Sequence, residues 1–163
     1  TGACRRILAE VDVALVRGNA AEVAVLAGDD GEVKGVESVG DYDVPAVAAK
    51  LARSAGCAVA VTGAVDHVTD GTRALVVRNG HPLLAAITGS GCMATCMAAA
   101  FAAVRPGDVV AAAAHGLAVF GIAGERAATG AAGPGSFHVG LYDALAEIDS
   151  STVVAQARIE AVT

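Results

Sequence analysis

Apolar positions along the chain follow two patterns. Short continuous runs at 13–16 and 57–62 predict buried strands, the first ending at Arg17-Gly18. Alternating segments at 66–69 and 73–78, on either side of Asp70-Gly71, predict a hairpin, and Asn79-Gly80 offers a second tight turn. The sheet is expected to end there. Residues 4–11 read as a helix leading into the first strand, and another helix is expected from Asn19. A third spans 44–55, with Pro45 in its first turn and Gly56 stopping it. From Cys92 onward the pattern becomes helical and alanine-rich, predicting helices over 93–104, 109–128 and 136–148 with Pro106-Gly107-Asp108 and Gly133-Pro134-Gly135 between them. Glycines and acids over 28–43 form a connection, and 153–159 fits either a strand or a helix. Strand, helix, strand, hairpin and helices in this order predict an α/β sheet with helices on its faces, which gathers ligands at the C-terminal ends of its strands.

Composition narrows the function. A chain of 163 residues suits one domain with a real core. Hydrophobic residues make up 55% and charged ones 17%, so helices buried on more than one side, or self-association, are expected. A net charge of −6 and 3% aromatics leave little to neutralise phosphate backbones or stack bases, which excludes nucleic acid as a partner. The uncharged stretch 109–124 falls short of the roughly 20 residues that span a bilayer and reads as a buried helix, so no membrane partner is expected. Four cysteines, Cys4, Cys57, Cys92 and Cys96, suit reduced thiols in a cytoplasmic protein, and the Cys92/Cys96 pair lacks the companions of a metal site.

The densest chemistry lies in Thr88-Gly89-Ser90-Gly91-Cys92, a glycine-spaced loop that feeds straight into an apolar helix. Such a junction turns backbone N–H groups and the positive end of a helix dipole toward an anion. Cys92 stands beside those donors, where a thiol is placed to accept a proton. Phosphoryl transfer to an alcohol is the chemistry this arrangement suits, with Gly89, Ser90 and Gly91 stabilising the moving group. Asn19 and Glu22 have the spacing of a capped helix start, yet they follow a strand end, where an Asn and a carboxylate also hold Mg²⁺ through water. A hydroxyl at Thr62, ending the second strand, either binds a phosphate oxygen or closes a turn.

Five motifs in order, Arg17-Gly18-Asn19-Ala20-Ala21-Glu22, Val61-Thr62-Gly63-Ala64-Val65-Asp66, Asn79-Gly80-His81-Pro82-Leu83-Leu84, the glycine loop and Gly133-Pro134-Gly135-Ser136-Phe137, resemble hydroxyethylthiazole kinase, a ribokinase-like family of thiamine salvage. The resemblance covers about 13–145 and implies a ribokinase-like sheet flanked by helices, with 1–163 a single partial domain that lacks the family's N-terminal portion. It implies an ATP- and Mg²⁺-dependent kinase acting on the primary alcohol of 5-(2-hydroxyethyl)-4-methylthiazole, in a homotrimer. By the same resemblance Arg17, Asn19, Thr62 and Thr88 face ATP, Asn19 and Glu22 the metal, Gly89 the substrate, and Cys92 is the base. Ala64 stands where most relatives carry Glu, which removes a carboxylate near the nucleotide. A catalytically incomplete nucleotide-binding fragment and a kinase of another small alcohol remain the alternative readings.

Overall fold

Strand β1 (Leu15–Gly18) lies parallel to β2 (Ala58–Val61), with Leu15 opposite Ala58 and Gly18 opposite Val61. This computed structural model describes residues 2–28 and 43–162. β3 (Asp66–Thr69) and β4 (Ala74–Val77) continue the sheet antiparallel from β2, and the closing strand β5 (Ile159–Val162) pairs antiparallel with β4. Among the described residues the result is a mixed five-stranded sheet in sequence order.

The pleat of β2 shows how the core is divided. Ala58 and Ala60 face a cluster built on the helices α4 (Ser90–Val104), α5 (Val109–Thr129) and α6 (Pro134–Glu147). Val59 and Val61 face the opposite way, onto Val23 of α2 (Ala20–Leu26) and Leu51 and Ala52 of α3 (Val44–Ala55). Side chains alternate across a strand, so four residues serve two helical layers. The smaller alanines meet the more crowded side, where α5 runs as the central helix.

Helix α5 approaches its neighbours through glycine. A Cβ on Gly116 would stand 2.8 Å from the Met97 carbonyl oxygen, and one on Gly121 would stand 2.5 Å from the Asn79 carbonyl. These two positions let α4 and the chain after β4 press against the α5 backbone. With 21 residues, α5 is longer than its uncharged core suggests and is long and apolar enough to cross a membrane. Its packing gives the other answer, because 72% of that apolar window is buried inside the protein.

Most helix boundaries follow from local chemistry. Asp43 caps α3 by accepting the Ala46 N–H at 3.2 Å, and Gly56 ends it at φ 67°, a left-handed conformation glycine adopts without strain. α1 (Gly2–Glu10) precedes β1, while the expected connection 28–43 falls almost wholly outside the described residues. One expectation is corrected. The sheet does not end at β4, because the ambiguous C-terminal stretch divides into α7 (Ser150–Gln156) and then β5. Residues 82–86, with no helical periodicity to announce them, form a short 3-10 turn led by Pro82.

Candidate functional site

The C-terminal ends of β1 and β2 open into a cavity of about 490 Å³. β1 delivers Arg17 and β2 delivers Thr62 immediately after its last residue, and Arg17 ↔ Ala60 register brings the two side chains together. The Arg17 guanidinium donates from Nη2 to Thr62 Oγ1, and Thr62 Oγ1 leans on the Gly18 carbonyl at 3.5 Å. From the other side Gly91, the second residue of α4, approaches so closely that a Cβ there would lie 2.8 Å from Arg17 Nη1. Arg17 Nε is buried and has no hydrogen-bond partner. A buried cationic donor left open beside a helix start is a place where a partner anion recovers a lost hydrogen bond.

The glycine loop does what its sequence requires. Gly89 caps α4 at φ 91°, a conformation that favours glycine, so no capping side chain stands in front of the first N–H groups of the helix. Ser90 turns its hydroxyl back onto the Ile87 carbonyl at 3.4 Å. Ser90 and Gly91 line the cavity together with Arg17, Asn19 and Thr62. Glu22, Thr88, Gly89 and Cys92 do not line it; Cys92 is exposed on the first turn of α4, at the mouth of the loop.

Asn19 and Glu22 form the expected capping box. Asn19 Oδ1 accepts the Glu22 N–H at 2.9 Å, and Glu22 Oε2 accepts the Asn19 N–H at 2.8 Å. The pair therefore has a structural job whatever else it does. That box engages one carboxylate oxygen of Glu22 and leaves Oε1 for a cation or its water. Among the described residues no three His, Cys, Asp or Glu side chains come together as a metal cage. The donor set fits Mg²⁺ held mostly by water and phosphate oxygens with one protein carboxylate, the usual habit of that ion.

Asp66, at the start of β3, lines the same cavity. Its Oδ1 accepts the Gly63 N–H at 3.0 Å, which tightens the turn after Thr62. Burial pushes its carboxyl up to about 6, although the Gly63 N–H and the Arg17 charge both pull it down. Asp66 is thus an acid in the cavity within reach of the Arg17 charge, where Ala64 contributes none.

The far wall consists of Gly80, His81 and Pro82 with Leu117 and Phe120 of α5. His81 Nδ1 accepts the Leu83 N–H at 3.2 Å, so the imidazole proton sits on Nε2 in the neutral ring. Asn79, only 6% exposed, belongs to the same lining and is held by Glu125 of α5 and by the segment 156–158. Sequence reasoning overlooked Glu125 and Arg158 altogether: they lie 46 and 79 residues from Asn79, and no local spacing connects them. Cys96 is exposed, while Cys57 is 7% exposed and burial raises its thiol. A second cavity, of about 520 Å³, opens at the opposite ends of β1 and β2, where Arg73 is already paired with Asp70 and Asp108.

Comparison with known proteins is consistent across sequence and structure. Residues 1–151 match the model of the hydroxyethylthiazole kinase family. A hydroxyethylthiazole kinase of Rubrobacter xylanophilus is 52% identical over 145 residues, covering 89% of this chain and 54% of that protein. One from Methanoculleus marisnigri is 47% identical over 161 residues, covering 98% of this chain and 57% of that protein. The solved structure of a hydroxyethylthiazole kinase protein from Pyrococcus horikoshii OT3 superimposes with a TM-score of 0.86 at 38% identity, covering 100% of this chain and 61% of that one. The chain thus spans between half and two thirds of the length of these relatives.

Proposed function

The chain belongs to the hydroxyethylthiazole kinase family, and from that premise we propose that its cavity receives ATP and carries the phosphoryl-transfer chemistry of a kinase acting on 5-(2-hydroxyethyl)-4-methylthiazole. One observation carries the reading: Arg17 is drawn onto Thr62 and against Gly91 with its Nε buried and unpartnered. A fixed guanidinium between two strand ends and a helix start is a phosphate clamp. Asn19 and Thr88 border the nucleotide in this reading, and the N–H groups of Gly89, Ser90 and Gly91 receive the oxygens of the transferred group.

The reaction is an in-line displacement. The substrate hydroxyl oxygen forms a bond to the γ-phosphorus as the bond from that phosphorus to the β,γ-bridging oxygen breaks, and ADP departs with the bridging electron pair. The hydroxyl proton passes to Cys92 Sγ, whose exposure at the mouth of the loop supports a meeting with a substrate outside the phosphate cavity. Mg²⁺ would screen phosphate charge, with Glu22 Oε1 and Asn19 as its protein-side support. Gly89 borders the alcohol. A homotrimer and a cytoplasmic, reducing setting complete the reading; four free cysteines suit the latter.

Calorimetric titration of MgATP into the wild-type chain and into Arg17→Ala is the direct test. Wild type is expected to bind, with the variant weakened at least tenfold, since a charge-assisted bond to phosphate contributes about 1.5–3 kcal/mol. Equal affinities, or no binding at millimolar nucleotide, would overturn the phosphate site.

A further inference from the structure

The wall of the cavity is fastened to the last strand of the sheet by three polar side chains that do not take part in the chemistry above. Asn79 follows β4 directly. Its Nδ2 donates to the Gln156 carbonyl at 3.0 Å and its Oδ1 accepts the Arg158 N–H at 2.7 Å, just beyond the backbone pair Arg78 N–H to Arg158 carbonyl at 2.9 Å. The amide side chain thus adds one more rung to the β4–β5 ladder while its own backbone turns away toward the cavity. Only a side chain offering both a donor and an acceptor does this, so Asn is required where Asp or Leu would fail.

Glu125 joins the turn to the same strand. Its Oε1 accepts the Gly80 N–H at 2.7 Å, and both of its oxygens face the Arg158 guanidinium, at 2.5 and 3.4 Å. Arg158 also donates to the Arg78 carbonyl at 2.8 Å. Gly80 adopts φ 149°, and Gly121 lies hard against Asn79, so the turn has little freedom except through this latch. One helical turn along α5, Gly124 receives Leu84, which lines the cavity beside Gly80 and His81.

We propose that Asn79, Glu125 and Arg158 form a latch through which the C-terminal strand sets the shape of the nucleotide cavity, so that the order of β5 and occupancy of the cavity are thermodynamically coupled. Arg158 is a positioning residue: it lines no part of the cavity, is 51% exposed on its side chain, and acts through Glu125 and Gly80. Coupling between two sites is reciprocal, so what loosens the strand weakens the ligand and what binds the ligand holds the strand. The nucleotide half of this inference rests on the function proposed above, while the latch itself does not.

Amide hydrogen exchange on the chain without ligand tests the latch alone. In Arg158→Ala the amides of Gly80, Leu83 and Leu84 are expected to exchange roughly tenfold faster, with α3 unchanged, and Arg158→Lys to recover part of the protection. Glu125→Gln, which keeps an acceptor for Gly80 but lowers the attraction for Arg158, is the milder probe should the alanine variant not fold. Unchanged exchange at 80–84 in every variant would overturn the latch. Titration with MgATP then tests the coupling: Arg158→Ala is expected to bind several-fold more weakly, and nucleotide to slow exchange across 158–162 in wild type. Wild type that binds nucleotide while β5 exchanges as before would overturn the coupling. Wild type that binds no nucleotide would overturn the ATP reading of the cavity, and with it the coupling, while ligand-free exchange still decides the latch.

Discussion

Gly91→Ala separates the stability of the α4 start from its chemistry. Gly91 lies in a helix without a positive φ, so alanine there favours the helix by up to about 0.5–1 kcal/mol. The new methyl would stand 2.8 Å from Arg17 Nη1, 3.3 Å from Nη2 and 3.4 Å from Cζ. All three atoms belong to the tip of a long side chain, so the backbone stays in place and Arg17 swings off Thr62. Losing that charge-assisted bond costs about 1.5–3 kcal/mol of fold stability, which the helical gain offsets in part, so a net loss of roughly 0.5–2.5 kcal/mol should lower the melting temperature by no more than about 10 °C. Phosphate affinity has no such offset. Displacing the guanidinium removes about 1.5–3 kcal/mol of binding, a Kd roughly 10- to 150-fold weaker. Scanning calorimetry and titration with MgATP on the same preparation read both quantities. Because both substitutions act through one guanidinium, adding Gly91→Ala to Arg17→Ala should change affinity little beyond Arg17→Ala alone. A Gly91→Ala chain that binds as tightly as wild type, or a double variant whose losses simply add, would refute the clamp geometry.

Three further outcomes follow from the same packing. Gly121→Ala places a methyl 2.5 Å from the Asn79 carbonyl, which is backbone and cannot swing aside, so a loss of about 1–3 kcal/mol should appear in urea unfolding; a stable variant would contradict the contact. Asp66 carries a folded-state value raised to about 6 from an ordinary 3.8, so its contribution is fully present below about 3.8 and is lost as pH rises through about 6. Asp66→Asn should therefore gain on wild type between pH 4 and 7 by on the order of 2 kcal/mol, and parallel stability curves across that window would rule out the burial argument. Cys57 should be the last of the four thiols to alkylate, and bound nucleotide with alcohol should shield Cys92 more than Cys4; mass-resolved labelling that leaves Cys92 equally reactive would remove it from the site.

Much of this molecule was legible because its signals are local. The helix Val44–Ala55, with proline at its start and glycine at its end, emerged with the bounds the sequence predicted, since capping depends on neighbours within four residues. The capping box of Asn19 and Glu22 and the glycine cap of α4 are equally local, as is the hairpin about Asp70-Gly71. The order of the motifs identified the family for the same reason: backbone turns that meet phosphate need particular residues at particular spacings.

Tertiary structure decided what depends on distant partners. Residues 153–159 gave no clear period, and β5 exists as a strand because β4 offers it an unpaired edge. The uncharged stretch of α5 already reads as a buried helix, and the packed layers supply the neighbours that bury 72% of its apolar window. Asn79 reads as a turn residue, yet its partners Glu125 and Arg158 reach it from 46 and 79 residues away. Arg17 could be named from a motif, but its buried, unpartnered Nε arises from how β1, β2 and α4 converge. Sequence determined the local conformations and the kinds of chemistry carried at each strand end. The fold alone decided which charges share a cavity, because burial and long-range hydrogen bonding are properties of the packed chain.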